Sequence, residues 1–122
     1  METWSLILSC FRYLSRDHGD IVDVSSIGTT YEGRDIVMIK ICASGQCGKK
    51  PAILIDGGIH AREWISPAAT LMLIDKIVNT VKSSKKNIMR KVDWYIIPLL
   101  NPDGYAYSRT SDRLWRKNRY RV

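Results

Sequence analysis

The sequence predicts an α/β fold, part of a doubly wound mixed β-sheet with flanking helices, and three observations carry that expectation. Residues 52–56 and 93–98 are short apolar runs of strand length with a helical stripe between them, the pattern of a strand–helix–strand unit. Residues 21–27 and 35–42 are two more strand-like runs, separated by a segment whose glycines Gly28 and Gly33 suit a turn or bulged hairpin. Ahead of them, Trp4, Ile7, Leu8, Phe11 and Leu14 recur at helical spacing.

Each element has its own justification. The first helix, residues 4–14, ends at Asp17-His18-Gly19-Asp20, which makes His18 an exposed turn histidine without ligand partners. The two runs that follow form an antiparallel pair. Ala52-Ile53-Leu54-Ile55 reads as a buried central strand, since parallel strands covered on both faces are continuously apolar. Ser66-Pro67 then starts a helix, with the hydroxyl as cap and proline in the first turn. That helix should span residues 67–81 or 67–82, with Leu71, Ile74, Ile77, Val78 and Val81 inward. The strand at 93–98 closes a right-handed parallel crossover. Asn101-Pro102-Asp103-Gly104 is a turn by its chemistry, without a catalytic role.

The stretch His60-Ala61-Arg62-Glu63-Trp64 falls just beyond residues 52–56, outside the carboxyl end of a strand, where open α/β sheets place their ligand sites. An imidazole and a carboxylate three residues apart have the spacing of two metal ligands. Both are ordinary zinc donors, and a catalytic zinc typically takes three protein ligands and one water. Gly57 and Gly58 let the backbone turn sharply out of the sheet. Trp64 reads as a core anchor, and Asp56 as either a second partner for a ligand or a cap on backbone groups.

Ile55-Asp56-Gly57-Gly58-Ile59-His60-Ala61-Arg62-Glu63-Trp64-Ile65-Ser66-Pro67 resembles the first zinc-binding signature of the zinc metallocarboxypeptidase family, of pancreatic carboxypeptidase A and B type. Residues 26–34 resemble that family's upstream hairpin, and residues 101–105 through Arg113-Leu114-Trp115-Arg116-Lys117 resemble its arginine-bearing segment. The resemblance covers roughly residues 15–119, and three ordered matches are far more specific than a bare H-x-x-E. It implies a zinc ion held by His60 and Glu63, with Arg116 as the catalytic cation beside the scissile carbonyl. It also implies that Arg62 and Arg113, with Arg116, line the substrate's subsites. The substrates implied are peptide or protein C-termini, and the location implied is extracellular. In the family, the third zinc-ligand histidine and the glutamate base lie further downstream. Residues 1–122 are therefore expected to be the N-terminal part of a catalytic domain, with its site half encoded.

Composition bounds the alternatives. At 122 residues and 45% hydrophobic, the chain is long enough for one small core. The net charge of +7 gathers in Lys82-Ser83-Ser84-Lys85-Lys86 with Arg90-Lys91, and in residues 109–121. The first run reads as a solvated loop. The second, with Trp115 and Tyr120, could track phosphates, so a basic nucleic-acid-binding domain stands as a third reading behind an active enzyme and an inactive peptide- or partner-binding relative. The expectation is no nucleic acid and no membrane, since no apolar run reaches about 18 residues. Glu2 stands where a signal peptide needs positive charge, so none is recognised in residues 1–11. Of Cys10, Cys42 and Cys47, the last two are close enough to bridge a loop, but all three are expected unpaired, Cys42 as a small buried apolar residue.

Overall fold

The computed structural model describes residues 3–121, with side chains from Ser5 onward, so the assignment of Trp4 to the helical stripe lies outside the described residues. The elements run α1 (Thr3–Asp17), β1 (Val22–Thr29), β2 (Asp35–Ile41), β3 (Ala52–Asp56), α2 (Ile65–Ser83), a 3₁₀ turn (Ile88–Lys91), β4 (Asp93–Ile97) and α3 (Pro102–Thr110). The expected α/β class, mixed sheet and flanking helices are all present.

The four strands are ordered β1-β2-β4-β3. β1 and β2 are antiparallel, with a register shift between Ser26 and Gly28 that makes the anticipated bulged hairpin. β2 and β4 are antiparallel, and β3 lies parallel to β4 with Ala52 opposite Asp93. Alternation along β2 turns Val37, Ile39 and Ile41 into one core with Ile96 of β4, Ile7 and Phe11 of α1, and Ile74, Ile77, Val78 and Val81 of α2. Fully burying aliphatic side chains of this kind stabilises by about 1.5–3 kcal/mol each relative to leaving them in water. Leu71, expected inward with them, is only partly buried.

Several expectations are corrected. β3 is not a buried central strand: among the described residues it pairs with β4 alone, and Ile53 and Leu54 are 38% and 65% exposed. An apolar run records what a strand is built to be covered by, not what covers it in this chain. Asn101-Pro102-Asp103-Gly104 is not merely a turn but the start of α3, with the Asn101 side chain accepting from the Gly104 N–H as cap and Pro102 in the first turn. α2 begins at Ile65, and the Ser66 hydroxyl accepts from the Gly58 N–H at 3.0 Å instead of capping its own helix.

Cys42 and Cys47 form a disulfide with their Cα atoms 5.4 Å apart. Gly45, at φ 76°, donates to the Cys42 carbonyl at 2.8 Å and turns the chain back so that the two meet. Arg90 is not simply solvated, since its guanidinium donates to the Val81 carbonyl in the last turn of α2 and to the Ala43 carbonyl after β2. His18 is half-buried rather than exposed, with Nδ1 enclosed and unpartnered by the described residues. No helix among the described residues is long and apolar enough to cross a membrane.

Candidate active site

The site begins where β3 runs out. The Gly57 N–H donates to the Ile97 carbonyl at 2.8 Å, the Leu100 N–H to the Gly57 carbonyl at 2.8 Å, and the Asn101 N–H to the Gly58 carbonyl at 3.1 Å. The two chains leaving β3 and β4 thus stay paired past the sheet. A Cβ on Gly57 would lie 2.4 Å from Thr70 Oγ1 and 3.0 Å from the Pro98 carbonyl oxygen, so only glycine lets the loop pass. Gly58 takes φ 64° and turns the chain outward.

His60 and Glu63 converge on this loop, with Nδ1 of the imidazole 3.0 Å from Oε1 of the carboxylate. Their side chains are 33% and 50% exposed, open enough to be reached from solvent. The space now bridged by one hydrogen lies between a ring nitrogen and a carboxylate oxygen, both ordinary zinc donors. The pair therefore fits two positions of a zinc site. No cluster of three or more His, Cys, Asp or Glu side chains suited to a metal occurs among the described residues.

Arg116 is brought to the same place by the backbone: its carbonyl accepts from the Ala61 N–H at 3.1 Å, one residue from His60. Its side chain is exposed. Arg62 and Arg113 lie on the adjoining surface, both exposed. The Arg113 guanidinium donates to the Arg62 carbonyl at 2.9 Å and stands 3.8 Å from the centre of the Trp64 ring, with Arg109 4.6 Å from that ring. The four sequence-singled positions 60, 62, 63 and 116 thus lie on one loop and the segment bonded to it, and Arg113 holds that loop while facing solvent.

Residues without a flagged role hold these pieces together. Trp64 Nε1 donates to Ser108 Oγ at 2.9 Å, which ties the His60–Trp64 loop to α3, while the Ser108 hydroxyl faces the Tyr105 carbonyl at 2.8 Å and the Ala61 carbonyl at 3.2 Å. Asp103, 2% exposed, accepts from Thr30 Oγ1 at 2.7 Å, from the Glu32 N–H at 2.9 Å and from Arg34 at 2.8 Å. Arg119 reaches Glu32 at 3.4 Å and covers the Tyr107 ring at 3.7 Å, so half of the basic C-terminal run is internally engaged. In the sequence, Trp64 reads as an anchor, residues 26–34 as a hairpin and Asn101-Pro102-Asp103-Gly104 as a turn, which are the signals for this scaffold. Ser108 carries none, since a lone serine has no periodicity.

Comparison with known proteins identifies the family and the fold. A family model described as zinc carboxypeptidase matches residues 7–122. Carboxypeptidase B of Rattus norvegicus is 42% identical over 118 residues, covering 95% of this chain and 28% of the relative. Carboxypeptidase B of Astacus astacus is 42% identical over 106 residues, covering 87% and 34%. The chain therefore spans 28% and 34% of the length of these curated relatives. Among solved structures, bovine thrombin-activatable fibrinolysis inhibitor, in complex with tick carboxypeptidase inhibitor, superposes with a TM-score of 0.84 at 37% identity, over 98% of this chain and 37% of that one. Carboxypeptidase A from Helicoverpa armigera gives 0.84 at 33% identity, over 93% and 28%. With a zinc carboxypeptidase model matched over residues 7–122 and relatives 42% identical over most of its length, the chain belongs to the zinc carboxypeptidase family.

Proposed function

We propose that residues 1–122 carry the metal-binding and oxyanion-stabilising part of a metallocarboxypeptidase site that removes residues from peptide or protein C-termini. The chain spans 28% to 34% of the relatives compared above, so the proposal concerns the share of the site carried here. The observation that supports it most directly is the meeting of His60 Nδ1 and Glu63 Oε1 at 3.0 Å on a loop bonded to Arg116.

The chemistry a bound zinc supplies at such a site is that of a Lewis acid, which polarises a carbonyl and acidifies a water. His60 and Glu63 would hold it, with the hydrogen between them lost to make room. Arg116 would stabilise the negative charge that develops on the carbonyl oxygen. A guanidinium is permanently charged, and charge fixed in place before reaction costs no reorganisation when the oxyanion forms. Arg62 and Arg113 would line the path of the peptide ahead of the bond that breaks. The Cys42–Cys47 disulfide supports an extracellular setting, where such bonds persist.

Calorimetric titration of Zn²⁺ into the 122-residue chain tests this reading, alongside His60→Ala, Glu63→Gln and Arg116→Ala. Weak binding is expected, because two protein ligands forfeit much of the affinity of three. Both ligand variants should abolish it and Arg116→Ala should leave it intact. Binding that survives His60→Ala and Glu63→Gln would overturn the assignment.

A further inference from the structure

We propose that Asn101 is a positioning residue that sets His60 against Arg116, an inference that rests on the reading of those two residues given above. Asn101 is 8% exposed. Its Nδ2 donates to the Ile59 carbonyl at 3.2 Å and to the Lys117 carbonyl at 3.0 Å. Those are the residue before His60 and the residue after Arg116. The amide therefore bridges the two segments one step outside the Ala61–Arg116 bond at 3.1 Å.

The remaining polar atoms of Asn101 fix the bridge to the scaffold. Oδ1 accepts from the Gly104 N–H at 2.9 Å, and the backbone N–H donates to the Gly58 carbonyl at 3.1 Å. A primary amide offers two donors and an acceptor in one plane, which aspartate and serine do not. Aspartate would aim a carboxylate oxygen at two carbonyls. Serine would still cap α3 but has a single hydrogen and a shorter reach. Gly104 leaves the space for this arrangement, since a Cβ there would lie 2.4 Å from the Lys117 carbonyl oxygen and 2.5 Å from Asn101 Nδ2. Reacting groups tolerate little misplacement, so a residue that fixes the gap between a metal ligand and an oxyanion cation acts on chemistry without touching substrate.

Amide hydrogen exchange of the ¹⁵N-labelled 122-residue chain separates positioning from general stability. In Asn101→Asp, the Ala61 N–H should exchange about tenfold faster or more, while the Ile39 and Ile96 amides of the sheet change by less than about twofold. Asn101→Ser, which keeps the cap, should give the same selective loss. Ala61 keeping its protection, or losing it only in step with Ile39 and Ile96, overturns the proposal. If both variants unfold, the wild-type chain decides: the Nδ2 hydrogens of Asn101 should exchange more slowly than those of exposed Asn79, and equal rates overturn it. Zn²⁺ added to the wild-type chain reports separately on the metal reading, because unmoved His60 ring signals would sink that reading while the exchange at Ala61 still tests the clamp.

Discussion

Arg34 and Asp103 form an ion pair at 2.8 Å that joins the turn after β1 to the first turn of α3, with side chains 19% and 3% exposed. Burial opposes the charge on Arg34. The hydrogen bonds to Asp103 and Glu32 outweigh that and hold its pKa above the ordinary arginine value. The pair anchors the helix whose Asn101 and Ser108 in turn hold the loop of His60 and Glu63.

Asp103→Ala leaves Arg34 with Glu32 as its remaining carboxylate partner and strands the Thr30 hydroxyl and the Glu32 N–H without their acceptor. Breaking a buried pair outright costs about 3–5 kcal/mol, and the retained Glu32 partner and the partial exposure of Arg34 favour the lower end. Urea unfolding of the two chains at neutral pH measures it. A loss under about 1 kcal/mol would show the pair to behave like an exposed surface bridge.

Gly58→Ala forces an L side chain to φ 64° and puts its Cβ 2.5 Å from Leu99 Cδ1. The left-handed backbone alone costs about 1–2 kcal/mol. The variant should melt at a lower temperature and bind Zn²⁺ less tightly, because the same turn aims His60. An unchanged melting midpoint would mean that the turn relaxes freely.

The unreduced chain in denaturant should expose one titratable thiol, Cys10, and the reduced chain three, because Cys42 and Cys47 are paired. Replacing both by serine should cost about 2 kcal/mol, the closure entropy of a short loop. Three thiols before reduction would refute the pairing.

Lys82 reaches Asp20 at 3.0 Å, and that bond holds the Asp20 carboxyl below the ordinary aspartate range. A carboxyl depressed in the folded state contributes stability above its unfolded value of about 3.9, lost as pH falls through the lower folded value. The gap in melting midpoint between the chain and Lys82→Met should therefore be open at neutral pH and close in acid. A gap that stays constant into acid would remove Asp20 as its source.

β3 presents an unpaired edge with Leu54 65% exposed, and Ile65 and Met72 of α2 are 78% and 75% exposed. The isolated chain should self-associate as concentration rises, and Leu54→Lys should shift it toward monomer in sedimentation velocity. Equal distributions for both chains would show that this edge is not the contact.

The sequence by itself determined the local elements and the convergence of His60 and Glu63. Periodicity marked α1, the β1–β2 hairpin and the strand–helix–strand unit, because a period of 2 or 3.6 is imposed by the backbone before any packing. The spacing of His60 and Glu63 brings their side chains together on one short loop, so their meeting was readable from three positions of sequence. Tertiary structure alone decided the rest. Whether Leu54 is covered depends on which strands flank β3, and a run of apolar residues does not name its neighbours. That Arg116 lies by His60, across 56 residues of chain, follows from one backbone bond at Ala61 and from an asparagine that looked like a turn. Cys42 and Cys47 paired because Gly45 turns the loop, a backbone choice that cysteine spacing leaves open. Such contacts are set by the direction in which whole elements pack, and no periodicity encodes them.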